Sequence, residues 1–159
     1  MKIIVVGVCA VLIGVGAYLW QGETGDDAIF ILPSDYKGVV MILYNHKKVQ
    51  PVKYEKGRRV YEIPPDGVLK TQFPFNQGWH NLYRFYYKQN GRMIEIPYVI
   101  DPKDVRSDRV QVCCFSSGKA GKDPNDTSVE FAQFYIGSKE EIDNAIEKGE
   151  KINPAEIGK

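Results

Sequence analysis

The stretch ILPSDYKGVVMILYNHKKVQPVKYEKGRRVYEIPPDGVLKTQ, residues 31–72, decides the fold class. Val39-Val40-Met41-Ile42-Leu43-Tyr44 is an unbroken apolar run between Gly38 and Asn45-His46. It is too short for a buried helix and suits a strand covered on both faces. The polar segment from His46 to Lys56 contains Pro51 and ends at Gly57, so it reads as a loop. Arg59 to Ile63 then alternates, with Tyr61 and Ile63 on one face. Pro64-Pro65-Asp66-Gly67 has the chemistry of a tight reversal, since proline fixes φ and glycine accepts a positive φ. Val68 to Thr71 is expected to return as the partner strand of a hairpin.

Outward from that unit the pattern stays β. Ala28 to Leu32 is a strand candidate stopped by Pro33. Leu82 to Lys88 alternates, Asn90-Gly91 is a preferred two-residue turn, and Arg92 to Tyr98 returns. That turn pairs Lys88 with Met93, Tyr87 with Ile94, Tyr86 with Glu95, Phe85 with Ile96 and Tyr83 with Tyr98. One face is then Tyr83, Phe85, Tyr87, Ile94, Ile96 and Tyr98; the other carries Arg84, Tyr86, Lys88 and Glu95. A slip of one residue would mix the faces, which pins the register. Arg109 to Phe115 and Thr127 to Ile136 are further strands, joined by a mobile loop, residues 116–126. Ser138 and Glu141 form a capping box that starts a helix over 139–148. The expected fold is mainly β: an antiparallel sandwich of about seven or eight strands, transthyretin-like or immunoglobulin-like, over residues 28–159.

The first 22 residues read differently. From Ile3 to Trp20 no residue is charged. At helical rise the run spans ~27 Å, close to a bilayer core of roughly 30 Å. Lys2 precedes it and Glu23, Asp26 and Asp27 follow, so the N-terminus is expected in the cytoplasm and the domain outside it, in the periplasm or its equivalent. Residues 1–22 are read as an uncleaved anchor with a transmembrane helix over 3–20, or as a signal peptide cleaved after Ala17. Residues 23–27 are the tether. Cys9 lies too near the start of the run to be a lipid-attachment cysteine.

The whole chain has 159 residues and a net charge of +1, of which Lys2 supplies the excess. A neutral body has no electrostatic reason to seek nucleic acid. Two histidines, His46 and His80, stand outside any ligand spacing, so neither a metal site nor a histidine triad is expected. No cofactor and no catalytic group is assigned. Asp123-Pro124-Asn125-Asp126 lacks the glycine and glutamate of a calcium loop. Cys113 and Cys114 are adjacent in a strand, so they are expected to point to opposite faces, and no disulfide is expected between them. The run from Trp79 to Lys88 leaves Trp79, His80, Arg84 and Tyr86 as candidate binding residues beyond what a half-buried strand requires.

Leu32-Pro33-x-x-Tyr36-x-Gly38, Arg59-x-Tyr61-x-Ile63-Pro64-x-x-Gly67, Thr71-Gln72 and Ile136 to Glu141 together resemble a bacterial family of exported, often lipid-anchored β domains without assigned activity. The resemblance spans most of residues 28–148. The Gly38-to-Gly67 pattern is also similar to non-catalytic transthyretin-like, carboxypeptidase-regulatory-like domains. The resemblances imply an exported β domain without catalysis. The first reading is therefore a non-catalytic domain, tethered by residues 3–20, that binds another protein or an envelope component. Two alternatives remain: an immunity protein that neutralises an envelope-targeting toxin, and a hydrolase using Asp101, Asp104 or Asp108.

Overall fold

The computed structural model describes residues 26–76, 82–121 and 128–158. In chain order the strands are β1 (Ala28–Pro33), β2 (Gly38–Leu43), β3 (Lys53–Glu55), β4 (Arg58–Glu62) and β5 (Val68–Lys70). They continue as β6 (Tyr83–Gln89), β7 (Arg92–Ile96), β8 (Tyr98–Val99), β9 (Gln111–Ala120) and β10 (Val129–Gly137). Helices α1 (Lys139–Gly149) and α2 (Pro154–Ile157) follow. One sheet has the order β3-β4-β1-β6-β7 and the other β5-β2-β10-β9-β8.

The sheets are mixed, which corrects the antiparallel expectation. β1 is parallel to both β4 and β6, β2 is parallel to β5, and β8 is parallel to β9. For the pairs of β1 and β2 the cause is the path of the chain between layers. After β1 it enters the second sheet as β2, returns for β3 and β4, crosses again for β5, and returns for β6. A chain that visits the opposite layer between two strands of one sheet comes back in the same sense. β8 and β9, consecutive in one sheet, are parallel because residues 100–110 carry the chain back before β9 starts. Pro64 to Gly67 is therefore a corner between layers and not a hairpin: β4 and β5 lie in different sheets.

That corner shows why its residues are needed. The Gly67 N–H donates to the Pro64 carbonyl at 2.9 Å, and the Met41 N–H donates to the Gly67 carbonyl at 2.9 Å. Gly67 has φ +78°, and a Cβ there would lie 2.0 Å from the Tyr36 hydroxyl and 2.7 Å from the Val39 carbonyl oxygen. The Tyr36 hydroxyl donates to that same carbonyl, while Tyr87 donates to the Tyr36 carbonyl at 2.6 Å. Tyr36, Gly38 and Gly67, on which the family resemblance rests, thus form one packing joint.

Several elements differ in detail from the sequence reading. The segment read as a loop, 46–56, contains β3, which pairs with β4 through the two-residue turn Lys56-Gly57, φ +50° and +78°. Lysine at the first position hid a turn that asparagine announces at Asn90. The second hairpin keeps the expected pairing from Lys88–Met93 to Phe85–Ile96. Beyond Ile96 it departs, because Pro97 turns the chain and Tyr98 pairs with Val112 in the other sheet. Residues 116–120 extend β9 rather than looping, and the remainder of that expected loop, 122–126, lies outside the described residues. Asn153 caps α2 with Pro154 at its first turn, an addition at the C-terminus.

Two apolar clusters hold the layers. The larger lies between the sheets and includes Phe30, Tyr61, Phe73, Phe85 and Phe134. The smaller lies under α1, where Ile142 and Ala145 cover Val105, Cys113 and Tyr135. β2 is thereby buried on both faces, as its unbroken apolar run requires. The capping box forms as expected, with the Ser138 N–H donating to Glu141 Oε2 at 2.8 Å. Lys37 Nζ meets Glu141 Oε1 at 2.7 Å, and these two contacts hold the Glu141 carboxyl below the usual glutamate range, the lysine contributing most.

Asp26 and Asp27, assigned to the tether in the sequence, are part of the body. Asp26 accepts from Arg59 Nε at 2.8 Å and exchanges two hydrogen bonds with the Asn76 side chain. The expected membrane helix over 3–20 lies outside the described residues, and among the described ones no helix is long and apolar enough to cross a membrane.

The corner makes a direct prediction. Gly67→Ala forces both a strained φ and displacement of Tyr36, and should lower unfolding free energy by about 2–4 kcal/mol. Urea unfolding measures it; a midpoint equal to the parent's would contradict the packing described.

Candidate functional site

The open side of the sandwich, where β3 and β5 are the edges of their respective sheets, forms a cleft of about 600 Å³. Val60, Leu69 and Phe73 make its floor, Val49 to Lys53 one wall, and Glu62, Pro64, Lys70 and Thr71 the other side. Its volume suits a small molecule or a few side chains of a peptide. The rim is charged: Lys53 Nζ and Glu62 Oε1 pair at 2.7 Å. Tyr54, 54% exposed, stands edge-on to Phe73 with centroids 5.2 Å apart, and Val52 is 41% exposed beside it.

Local chemistry keeps the cleft open. Arg59 is buried next to it, its guanidinium 4.9 Å from the centre of the Phe73 ring. Its Nη1 donates to the Pro74 carbonyl at 2.6 Å, which fixes the Phe73-Pro74 segment against β4. The Tyr61 hydroxyl is buried behind Arg59 without a hydrogen bond among the described residues. Burial pushes the Tyr44 and Tyr61 hydroxyls up, so both stay neutral. None of these residues was read from the sequence as a binding residue, although Arg59 and Tyr61 belong to the motif that carries the family resemblance. The alternating Val52-Lys53-Tyr54 just after Pro51, where β3 begins at Lys53, is the sequence signal that could have pointed to the cleft.

The sequence-derived candidates are placed elsewhere. Arg84 and Tyr86 lie on the outer face of the β6–β7 hairpin, Tyr86 opposite Glu95 in register. Arg84 Nη1 donates to Glu95 Oε1 at 3.3 Å. Trp79 and His80 lie outside the described residues. Two of the three aspartates of the hydrolase alternative, Asp101 and Asp108, have separate structural roles. Asp101 accepts from the Lys103 N–H at the head of a 3-10 turn, residues Pro102–Asp104. Asp108 receives two bonds from Arg106, at 3.0 and 2.9 Å, and this contact holds its carboxyl below the usual range. Among the described residues no group of three or more His, Cys, Asp or Glu is arranged to hold a metal ion.

Cys113 and Cys114 correct the expectation of opposite faces. Gln133 pairs with Ser116 and Tyr135 with Cys113, so Phe134 faces two residues, Cys114 and Phe115. This is a β-bulge whose first residue, Cys114, has φ +62°, the conformation glycine usually supplies there. The extra residue breaks the alternation, so both thiols lie in the cluster beneath α1. Both are free, Cys113 buried and Cys114 half-buried. Burial, then a hydrogen bond to Cys114, pushes the Cys113 thiol up to about 12, which keeps it protonated and a poor nucleophile. Replacing Cys114 should therefore rank by backbone fit. Cys114→Gly should stay within about 1 kcal/mol of the parent, and Cys114→Val should lose about 2 kcal/mol. Urea unfolding of both variants checks the order, and a valine variant as stable as the glycine variant would contradict the strained bulge.

A crystal structure of a provisionally designated lipoprotein from Bacillus anthracis shares the fold, with a TM-score of 0.50 and 23% identity. The similarity covers 72% of this chain and 71% of that one. No curated protein matches. The profile of DUF6843, described as a family of unknown function, matches residues 24–146, from the segment before β1 into α1. That span contains the Tyr36–Gly67 corner, the cleft and the bulge, and the chain belongs to this family of unknown function.

Proposed function

We propose that the chain is an extracytoplasmic binding domain without catalytic function, held at the membrane by residues 3–20, whose cleft receives an extended segment of another envelope protein. The cleft carries this reading. Its floor is apolar, its rim pairs a cation with an anion, and it lies beside an edge strand. In the β3–β4 hairpin the turn is flanked by Glu55 and Arg58, whose backbone groups bond each other; Tyr54 therefore turns its N–H and C=O outward. A partner strand added there gains main-chain bonds, and its alternate side chains reach the cleft.

Two observations support the location. The uncharged run ends at Trp20, and the B. anthracis protein of similar fold carries a provisional lipoprotein designation. The fixing of Asp26 shortens the tether to residues 21–25. Five residues reach at most about 18 Å, so the end of the body bearing Asp26 and Arg59 stays near the bilayer and the partner must reach it there.

Cross-linking of membranes from cells carrying the tagged full chain, followed by capture, tests the reading. One envelope protein should be enriched, and Val52→Glu, at an exposed cleft residue, should reduce its recovery roughly tenfold, the effect of a desolvated charge on a contact of this size. Equal capture by both chains would overturn the cleft assignment. Capture of a secreted toxin by the parent chain would move the reading to immunity.

A further inference from the structure

The opposite side of the sandwich has its own open edge, and we infer that β7 pairs antiparallel with β7 of a second copy of this chain. Among the described residues β7 has a neighbour, β6, on one side only. Gln89 and Arg92 flank the two-residue turn as a mutually bonded pair, so Ile94 and Ile96 also turn their backbone groups toward β6. Met93 and Glu95 then present their N–H and C=O groups outward. Proline is absent from the strand, and the edge is apolar as well as polar: Met93 is 45% and Ile94 46% exposed. Ile100, 82% exposed, follows on the same side of the sandwich.

A second copy is the occupant that these residues fit. In an antiparallel pair centred on Ile94, Met93 exchanges two bonds with Glu95 of the other copy and Glu95 exchanges two with Met93. This satisfies all four outward N–H and all four outward C=O groups of these residues. Ile94 meets Ile94, covering the side chain that the second sheet leaves exposed. Charge is complementary on the outer face. There Lys88 lies beside Met93, and Met93 lies beside Glu95 of the other copy. Two strand spacings, about 9.6 Å, separate the lysine and glutamate backbones, within reach of their two side chains. The register that would instead set Glu95 against Glu95 is disfavoured by like charge. The contact is short, so the dimer is weak in dilute solution and favoured where copies are concentrated in one membrane.

The pairing places the two Ile94 Cα atoms about 4.5 Å apart, inside the range a disulfide spans. Arg92 lies four residues out of register with its own counterpart, about 13 Å. The full chain carrying Ile94→Cys, in membranes under mild thiol oxidant, should therefore yield roughly tenfold more reducible dimer than Arg92→Cys or the parent chain. Glu95→Lys in the Ile94→Cys background should lower that yield several-fold, and adding Lys88→Glu should restore it, by the charge logic above. Equal dimer from Ile94→Cys and Arg92→Cys would overturn the inference, as would failure of the Lys88→Glu change to restore the yield. Circular dichroism matching the parent's establishes that each variant is folded.

Discussion

The Phe30 ring is where the two sheets are held together. It stacks on Tyr61 and Phe85, with centroids 5.0 and 4.7 Å apart, and meets Phe134 of the opposite sheet at 5.3 Å. Parallel pairing of β1 with β4 and β6 brings Tyr61 and Phe85 level with Phe30 in one row across the sheet. Each such ring pair contributes about 0.5–1.5 kcal/mol beyond the apolar area it buries. A body that has two free thiols and no bridge among its described residues relies on this layer for strength.

Concentrating the core around β1 has a consequence at the margins. The central strands are buried, whereas β3 and β5 on one side and β7 and β8 on the other end the sheets. One side opens into the cleft, floored by Phe73, which itself packs on Tyr61 at 5.1 Å. The other ends in a regular strand with exposed Met93 and Ile94. The same aromatic row thus supports the floor of one open side and the hairpin that forms the other. Under the proposed reading, recognition falls to these edges and the interior supplies rigidity.

Much of the local structure was legible in the chain. The six-residue apolar run, the Asn90-Gly91 turn and the Ser138–Glu141 capping box each state their own geometry through contacts between near neighbours. What could not be read was which sheet a strand joins. Pro64 to Gly67 has the same turn chemistry whether it reverses within a layer or crosses between layers, and only packing of Tyr36 against Gly67 decides. The cysteine pair misled for a related reason: alternation holds until a bulge adds a residue, and Cys114 carries no glycine to announce it. The cleft escaped notice because its floor and walls come from three separate segments, 49–53, 60–64 and 69–73, which only the two-sheet topology brings together. Arg84 and Tyr86 lie on the outer face of β6, in the same cross-strand rows as Val60 and Glu62 of the cleft, but β1 stands between them and they do not line it.

The account rests on this body standing outside the cytoplasm, next to the membrane. Ser107 is exposed in a turn, which makes Ser107→Cys a reporter in the full chain. Labelling of that cysteine by a membrane-impermeant maleimide in intact protoplasts is the most direct measurement. The account predicts labelling before lysis as complete as after it; a cysteine that reacts only once the membrane is broken would contradict it.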